Sequence, residues 1–551
     1  MKHSPLDKLQ MKPSRRFFAG TAGLLLASAV HGHHIAVIGA GAAGSSTAYH
    51  LRQFADADGV DVNITLFEKT DHIGGRTLTA HAFGDANQPV ELGASIFVQI
   101  NEILWNAASN FSLPLQPAGG FDDDAALLGI WDGDRFAYTQ DDRSSGWWNI
   151  VRLVWTYGTA PYRANKLMQA TIRRFLELYR APYFPFRSLT TRAYELELTF
   201  VTSQTGQQFL DANNVGTRFS HDIVQASTRV NYASNLARIH GLDAMVALAP
   251  SGASQIRGGN WQIFDRMARA SGAHVRLNTS ITHLDKVPGT SPPSTKYVVK
   301  TTDALGIEAE EEFDSVVLAS PFQFSGIAAG DGVLQTAIDA IPYVKLHVTL
   351  FTSPLKFDAA YFNLEPGSKN VPTTVLTTLA DDDDDQGSSG ADGSGKAGFF
   401  SVSTLRRVIN PTTLREEYLY KIFSPEAVTP AFLSELFGVD VPGTFTDETA
   451  ELPVISWYYP HIFHSYPKAL PRVTFQDPIV GDGLYYTSGI ESFISTMETS
   501  ALMGKNVARL IVDDIQGLAT GGAVLMENGE EDGKKPILVG SEDKEKIIGE
   551  L

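Results

Sequence analysis

The chain has 551 residues, enough at about 150 residues per domain for three or four domains or for two large ones. Its 43% hydrophobic and 19% charged residues are typical of a globular protein, which excludes collagen-like, disordered and multi-span membrane classes. The net charge of -18 disfavours a nucleic-acid partner, because proteins bind nucleic acids largely by neutralising phosphates.

The chain contains no cysteine, and this restricts its chemistry. Disulfides, thiolate metal ligands, iron–sulfur clusters, cysteine nucleophiles and a flavin attached through cysteine are all excluded. A large exported domain can be stable without disulfides, so the absence does not identify the compartment. The histidines are spaced as metal ligands only at His31, His33 and His34. We interpret these three as a solvated cluster or the start of a strand, and we expect no metal site.

Residues 1–32 are predicted to be a targeting segment. Basic residues up to Arg16 precede an apolar stretch from Phe17 to Val30, and Ala27-Ser28-Ala29 resembles a cleavage site. The stretch is too short to span a bilayer, so we expect cleavage, with a buried helix as the alternative. We expect no transmembrane span later in the chain, and peripheral membrane contact stays open.

The predicted segment would send the protein into the secretory pathway, to a lysosome or vacuole, or out of the cell. Twin-arginine export is the alternative, because Arg15-Arg16 is followed by two phenylalanines. Three glycosylation sequons occur, at Asn63, Asn110 and Asn278. Chance would produce a similar number, so the sequons do not decide between the routes.

Two later segments are predicted to be disordered. Residues 380–397 are acidic and then rich in glycine and serine, which indicates a solvated loop insertion; the ligand spacing of a calcium-binding EF-hand is missing. Residues 516–551 form a tail rich in glycine, glutamate and lysine.

A dinucleotide-binding motif follows the targeting segment. His34 to Ile38 predicts a buried strand, the run GAGAAG matches the pattern G-x-G-x-x-G, and Ser45 to Phe54 predicts a helix. The first glycine permits a tight turn, the second lets the backbone approach a pyrophosphate, and the third lets the helix pack closely on the strand. The cofactor-binding candidates in this run are Gly39, Ala40, Gly41, Ala43 and Gly44.

A second predicted strand, Val62 to Phe67, ends at an acidic residue. Glu68 is placed to hold the ribose hydroxyls and would repel the extra phosphate of NADP; Lys69 beside it is a further candidate. The spacing of 24 residues between Gly44 and Glu68 matches a complete βαβ unit.

Four later segments favour FAD over NAD. Two glycines let a loop pass close to the cofactor, and an arginine offers a planar donor fork near its pyrophosphate; a segment of the form E-x-G follows. A strand-like run from Ala273 to Leu277 and a predicted strand from Leu484 to Glu491 come later. A helix predicted to start near Thr496 aims its N-terminus at a flavin, although a plain strand–helix pair in the core is the alternative. The candidates are Gly74, Gly75, Arg76, Gly93, Ala94, Ser95, Val275, Gly489, Glu491, Thr496 and Met497.

With these segments in place, the chain resembles the prenylcysteine oxidase family, also called prenylcysteine lyases. The similar patches include Asn149 to Gly158, Arg229 to Tyr232, Gly258 to Asn260, Tyr420 to Ser424 and Tyr459 to His461. They are spread over roughly residues 34–512, and fungal and plant members are closest in character. The acidic insertion and the tail depart from the family pattern, and Ser492-Phe493 stands where animal members carry a cysteine.

The resemblance implies an FAD-dependent oxidase that cleaves the thioether of farnesyl- or geranylgeranyl-cysteine. Oxygen and water are consumed, and cysteine, a prenyl aldehyde and hydrogen peroxide are released during degradation of prenylated proteins. The flavin, held non-covalently, is the redox centre, and we assign no catalytic side chain. Candidate substrate-pocket residues are Asn231, Tyr232, Tyr459 and His461.

Two other functions stay open at this point. One is an FAD amine oxidase-like enzyme, although we locate no lysine for the flavin of such an enzyme. The other is a secreted, non-catalytic flavoprotein or lipid-binding module. The oligomeric state is not predicted.

The predicted fold is α/β, with two interleaved domains. A doubly wound FAD-binding domain of the glutathione-reductase or amine-oxidase type is assembled from 33–110, 245–330 and 470–515. An α+β substrate domain with a mixed sheet comes from 111–244 and 331–469.

Overall fold

The computed structural model describes residues 32–118, 127–141, 146–249, 252–288, 295–368, 370–381, 383, 393–445 and 453–518. The predicted targeting segment up to residue 31, most of the acidic insertion and the tail from residue 519 lie outside the described residues.

The described chain contains both strands and helices, some of them in long uninterrupted series. The strands are β1 His33–Ile38, β2 Val62–Phe67, β3 Thr79–His81, β4 Pro89–Glu91, β5 Leu115–Pro117, β6 Leu127–Trp131, β7 Phe136–Asp141, β8 Ser254–Ile256, β9 His274–Arg276, β10 Thr279–Pro288, β11 Thr295–Asp303, β12 Glu308–Phe313, β13 Ser315–Leu318, β14 Ala328–Ala329, β15 Tyr343–Ser353, β16 Thr374–Thr377, β17 Ser401–Ile409, β18 Glu416–Ser424, β19 Trp457–Pro467, β20 Ile479–Gly481 and β21 Leu484–Tyr486. The helices are α1 Ala42–Asp58, α2 Glu102–Asn110, α3 Gly146–Tyr157, α4 Ala160–Leu176, α5 Leu189–Glu195, α6 Thr199–Thr202, α7 Gly206–Ala212, α8 Thr217–Phe219, α9 Gln225–Tyr232, α10 Gly241–Ala247, α11 Trp261–Ala270, α12 Pro430–Phe437 and α13 Met497–Ile515.

A six-stranded sheet forms the centre of the nucleotide-binding region, in the order β20-β21-β13-β1-β2-β9. All neighbours are parallel except β20, which runs antiparallel to β21. The strands of this sheet carry apolar side chains on both faces, because other elements cover both faces. Ile35 and Val37 pack in the cluster that contains α1 and α13, and Ala36 and Ile38 face a four-stranded sheet, β12-β11-β10-β14.

Several element boundaries in the structure differ from the predicted ones. Helix α1 begins at Ala42, three residues before the predicted start, and ends at Asp58, where Gly59 takes a left-handed conformation. The strand predicted from Leu484 to Glu491 ends at Tyr486, and a tight helical turn over Ser488–Ser492 replaces its second half. This turn buries Glu491 against Arg76, an ion pair between distant segments that an apolar run cannot indicate.

A seven-stranded mixed sheet makes up the second large layer, in the order β19-β15-β18-β17-β16-β6-β7. Side chains alternate between its faces, as the pleat requires. Phe351, Tyr420 and Ile422 point to one face, where α12 covers them with Leu433 and Phe437. The other face looks toward the first sheet and is partly covered by the β3–β4 hairpin.

The described ends of the acidic insertion are ordered, contrary to the predicted disorder of 380–397. Gly393 and Ser394 accept hydrogen bonds through their carbonyls from Arg229, which is fully buried in α9. Asp383 accepts from the backbone N–H groups of Ala380 and Lys396. The buried guanidinium of Arg229 needs hydrogen-bond acceptors, and the insertion supplies two of them.

The strands of the six-stranded sheet come from three separate stretches of the chain, around residues 33–67, 274–318 and 479–486. Those of the seven-stranded sheet lie within residues 127–141 and 343–467. The exact limits of the two domains stay a prediction. Within the part of the chain that the structure describes, no helix has the length and apolar character to cross a membrane.

Candidate active site

A cavity of about 980 Å³ lies where the two large sheets face each other. One wall consists of residues at the carboxyl ends of the parallel strands, among them Ile38, Glu68, Ala319 and Ser488. Open α/β sheets bind their ligands at this edge, where loops and helix N-termini converge. The opposite wall is the inward face of the seven-stranded sheet.

Two glycine segments cross at the edge of the first sheet. Gly74 donates its N–H to the Ala40 carbonyl at 3.0 Å, and Gly41 bridges to Gly74. A Cβ on Gly44 would lie 1.8 Å from the Gly39 carbonyl oxygen, so only glycine lets α1 start this close to β1. Gly75, at φ 58°, would place a Cβ 3.1 Å from the Gly41 Cα. The close approach therefore depends on the absence of side chains.

Glu68 sits at the end of β2 and lines this part of the cavity. Its Oε2 accepts from the Ala40 N–H at 2.9 Å, and its Oε1 accepts from the N–H and hydroxyl of Thr70 at 2.9 Å. The carboxylate is 7% exposed and fixed in orientation, which preorganises it for a polar ligand.

Arg76 binds protein groups with the donor fork that the sequence analysis assigned to a pyrophosphate. Its Nη2 pairs with Glu491 Oε1 at 2.8 Å, and its Nη1 donates to the Ser465 carbonyl at 2.7 Å. Tyr343 donates its hydroxyl to Glu491 Oε2 at 3.1 Å. These contacts tie together the loop after β2, strand β19 and the helical turn before α13.

Glu498 connects the two helices at the end of the cavity. It lies in the first turn of α13 and accepts hydrogen bonds from the N–H groups of Ile103 and Leu104 at 2.9 and 3.0 Å. These are orphan donors of the first turn of α2. Burial raises the pKa of Glu498 to about 7, although the two hydrogen bonds oppose the shift.

The inward face of the seven-stranded sheet is mostly apolar. It contributes Leu346, Val348, Ser401, Ser403, Leu405, Lys421, Phe423, His461 and Phe463 to the cavity lining. Consecutive members on each strand are two residues apart, so they share a face. Burial lowers the pKa of His461, which favours its neutral form.

Lys421 is buried in this mostly apolar face, which also carries the polar residues Ser401, Ser403 and His461. Its Nζ donates to the Glu91 carbonyl at 2.7 Å and to the Ser95 hydroxyl at 3.0 Å. Burial lowers the pKa of Lys421 to about 8, and the nearby Glu91 carboxyl opposes the shift. Burial in turn raises the pKa of Glu91 to about 7, against a hydrogen bond from the Asn260 N–H and the charge of Lys421.

Most candidate residues from the sequence come together in this cavity. Those that line it are Gly39, Gly41, Ala43, Glu68, Lys69, Gly74, Gly75, Arg76, Gly93, Ala94, Ser95, Asn231, Tyr232, His461, Glu491, Thr496 and Met497. Those that do not line it are Ala40, Gly44, Val275, Tyr459 and Gly489.

The candidates outside the lining have other contacts. Val275 pairs with Leu66 in the first sheet, and Gly489 packs against Gln476. Tyr459, a candidate for the substrate pocket, does not line the cavity, and its ring stacks on Trp457, two residues away on the same face of β19. Because β19 alternates, Tyr459 and His461 share a face, but only His461 reaches the cavity.

The roles of the Lys421, Glu91, Glu498 and Asn260 side chains were not predicted from the sequence, although Glu91 belongs to the E-x-G segment. Lys421 had a readable signal, because Leu419 and Phe423 at i−2 and i+2 make its position an inward one in a strand. Asn260 is fully buried and holds the Glu91 segment, donating to the Ala94 carbonyl at 2.9 Å. No local pattern indicates the partners of Glu91, Glu498 or Asn260. Among the described residues, no group of three or more His, Asp or Glu side chains could hold a metal ion.

Comparison with known proteins gives a family and a fold. The family model described as prenylcysteine lyase matches residues 140–520, and the NAD(P)-binding Rossmann-like domain matches residues 37–111. Prenylcysteine oxidase 1 of Pongo abelii is 28% identical, over 86% of this chain and 88% of that protein. Farnesylcysteine lyase of Arabidopsis thaliana is 27% identical, over 87% of this chain and 88% of that protein.

Solved structures show the same architecture at low sequence identity. A putrescine oxidase variant with redesigned cofactor binding covers 88% of this chain and 99% of its own, with a TM-score of 0.53 and 15% identity. Cyclohexylamine oxidase from Brevibacterium oxydans gives a TM-score of 0.52 at 14% identity and covers 88% of this chain and 100% of its own. Together with the Rossmann-like match, these likenesses confirm the predicted α/β fold class.

Proposed function

The chain belongs to the prenylcysteine lyase family, and from this membership we propose that it oxidatively cleaves the thioether of farnesyl- or geranylgeranyl-cysteine. The reaction consumes oxygen and water and yields cysteine, a prenyl aldehyde and hydrogen peroxide. The observation that carries the proposal is one continuous cavity of about 980 Å³. It joins the crossing glycine segments and Glu68, together called the dinucleotide cradle, to the apolar face of the seven-stranded sheet.

The residues of the cradle fit FAD held without a covalent bond. Gly41 and Gly75 leave room for a pyrophosphate, since a Cβ on either would narrow the crossing. Gly41, Ala42 and Ala43 line the cavity at the start of α1, and Gly41 has no side chain that could cap the first amides of this helix. Glu68 is oriented for ribose hydroxyls. When bound, FAD supplies the two-electron acceptor of the reaction.

The apolar wall suits a prenyl chain, which has no polar group to satisfy. Val230, Val246, Leu346, Val348, Phe423 and Phe463 line this side of the cavity. Burying the chain against these side chains excludes water and holds the allylic carbon in place. Orientation of this kind accounts for much of the rate in a reaction whose redox chemistry belongs to the cofactor.

The cysteine end of the substrate requires polar partners, which we assign to Asn231, Tyr232 and His461. All three line the cavity. Burial and the neighbouring Asp243 carboxyl raise the pKa of Tyr232, so its hydroxyl stays neutral. Asn231 is held by its Nδ2, which donates to the Ser227 carbonyl at 2.9 Å, and this leaves its carbonyl oxygen as the acceptor for an amino group.

Product analysis tests the proposed function. The purified, FAD-loaded protein is incubated in air with farnesylcysteine, and free thiol, prenyl aldehyde and hydrogen peroxide are quantified. Equimolar release of all three is expected. Peroxide without free thiol would point to another oxidation, and no turnover would favour a non-catalytic flavoprotein.

We propose that the protein enters the secretory pathway and that the targeting segment is removed. In support, the side chains of Asn63, Asn110 and Asn278 are all exposed, as glycan acceptors must be. N-terminal sequencing and endoglycosidase treatment of the natively expressed protein test this. An intact N-terminus with no change in mass would contradict it.

A further inference from the structure

A lysine is enclosed in the wall of the substrate side of the cavity. Lys421 is 9% exposed and lies on β18 between Leu419 and Phe423, which point to the same face of the sheet. Its register partners on the neighbouring strands are Leu350 and Ser403, which carry no charge. A buried cation among apolar side chains is costly, so its position is not explained by packing alone.

Two hydrogen-bond acceptors and one aromatic ring surround the Nζ of Lys421, and the ring centre of Phe423 lies 4.8 Å from it. The carbonyl oxygen of Glu91 and the hydroxyl of Ser95 each receive one N–H from Nζ. A neutral amine has two N–H groups, and these two bonds use both of them. The remaining tetrahedral direction then holds the lone pair, and Lys421 lines the cavity. Such an arrangement presents a proton acceptor to whatever occupies the cavity.

The proposed reaction needs such an acceptor. Once the allylic carbon beside sulfur has lost a hydrogen with its electron pair, the carbon is electrophilic and water adds to it. The new C–O bond forms at the expense of a water O–H bond, and that proton must go to a base. The C–S bond then breaks with its electron pair on sulfur, which needs a proton, while the hydroxyl loses its proton to become the aldehyde.

We propose that Lys421 is the general base of this hydrolytic half of the reaction. Its amine takes the proton from the attacking water, and the resulting ammonium returns that proton to the departing sulfur. The amine, neutral again, accepts the hydroxyl proton as the aldehyde forms and passes it to solvent. The assignment rests on the proposed thioether cleavage. It adds a role for a side chain that lies outside the dinucleotide cradle.

The surroundings set the pH range in which this base works. Burial lowers the pKa of Lys421 to about 8, so the neutral form grows as the pH rises through this value. The charged neighbour is the Glu91 carboxyl on β4, and His461 on β19, whose pKa is lowered by burial, lines the same cavity. The neighbouring positions on β15 and β17 contribute no charge. The rate of thiol release is therefore expected to rise toward pH 8 and then level off.

Separating cofactor reduction from thiol release tests the proposal. In rapid anaerobic mixing with farnesylcysteine, Lys421→Met is expected to reduce the flavin at a rate within about threefold of the unchanged protein. Release of free thiol should fall by about 100-fold or more, the usual contribution of a general base, and its rise with pH should disappear. Lys345→Met is the matched control, because Lys345 is an exposed lysine on β15 of the same sheet.

Chemical rescue guards against a purely structural explanation. Lys421→Ala is expected to regain thiol release when methylamine is added, increasingly so at higher pH, with unchanged FAD content and melting temperature. Thiol release that keeps pace with reduction in Lys421→Met, or no rescue in a folded Lys421→Ala, overturns the assignment. If the unchanged protein neither reduces its flavin nor releases thiol, the proposed function itself has failed, and the role of Lys421 fails with it.

Discussion

Burial shifts the pKa values of two neighbouring side chains, Glu91 and Lys421, in opposite directions. Burial raises the pKa of Glu91 to about 7 and lowers that of Lys421 to about 8. Burial therefore favours the neutral form of both groups, and a change in their surroundings alters the balance between a neutral pair and an ion pair. Desolvation by a bound prenyl chain is such a change.

At this scale the polar contacts to the cysteine end of the substrate can be tested. Tyr232→Phe and His461→Gln are each expected to raise the KM for farnesylcysteine by about 2- to 10-fold, the effect of one lost hydrogen bond. Tyr459→Phe is the control, because Tyr459 lies outside the cavity lining. Steady-state kinetics in air provide the measurement. An unchanged KM in both Tyr232→Phe and His461→Gln would refute the assignment.

Residue-level prediction worked where function depends on local backbone. Gly39, Gly41 and Gly44 are recognisable because a turn and a helix start lie within six residues. The hydrogen-bond partners of Lys421 and Glu498 were not predicted, because these partners are far away in the chain. The bond from Lys421 to Ser95 spans 326 residues, and that from Ile103 to Glu498 spans 395. Such pairs follow from the packing of whole elements, which no local pattern encodes.

Among the elements, helix α13 makes contacts that position both α1 and α2 at the site. It packs against α1, where Gly504 allows close approach: a Cβ there would lie 2.3 Å from the Ala43 carbonyl oxygen. Ser46 on α1 donates its hydroxyl to the Ala501 carbonyl at 2.6 Å. At its N-terminus, α13 presents Thr496 as N-cap and Glu498 as the acceptor for α2. The last helix thus fixes the position of the first.

Glu498→Gln tests this connection between α13 and α2. The amide keeps one acceptor oxygen, so one of the two α2 donors loses its partner and unfolding free energy should fall by about 1–3 kcal/mol. Glu498 has a raised pKa in the folded protein, so its contribution is complete below the ordinary carboxyl range and is lost as the pH rises through about 7.

Denaturant unfolding at pH 5, 6, 7 and 8 provides the measurement. The stability difference between the unchanged protein and Glu498→Gln is expected to be largest at pH 5 and to narrow toward pH 8. Glu177→Gln serves as a control, since Glu177 is an exposed glutamate. A difference that is independent of pH would show that Glu498 ionises normally in the folded protein.

Element prediction was accurate for β2 and poor for the segment before α13. Val62 to Phe67 is a strand at the expected bounds, because five of its six side chains are buried in a parallel sheet. Leu484 to Glu491 looks similar in sequence, yet the chain turns at Ser488. The ion pair of Glu491 with Arg76 and the close packing of Gly489 against Gln476 favour the turn over an extended strand.

On the scale of the whole molecule, the nucleotide-binding sheet is assembled from stretches more than 400 residues apart. β1 begins at His33, while β20 and β21 lie between Ile479 and Tyr486. The seven-stranded sheet is formed largely by the chain in between. The cavity exists only when both are present, because each contributes one wall.

Truncation tests this interdependence. A chain ending at residue 469 lacks β20, β21 and α13, and we expect it to retain no FAD after purification. A chain ending at residue 518 keeps every described element and is the matched control, with FAD content expected to be unchanged. Retention of FAD by the shorter chain, measured by its visible absorbance after gel filtration, would show that the cradle forms without its C-terminal part.

The chemistry assigned to the cavity rests finally on the identity of the electron donor. The FAD-loaded protein is mixed without oxygen with farnesylcysteine, putrescine or cyclohexylamine, and the visible band of oxidised flavin is followed. Farnesylcysteine is expected to bleach the band fully, and the two amines should leave it unchanged. Bleaching by either amine, together with an unchanged band in farnesylcysteine, would contradict thioether oxidation.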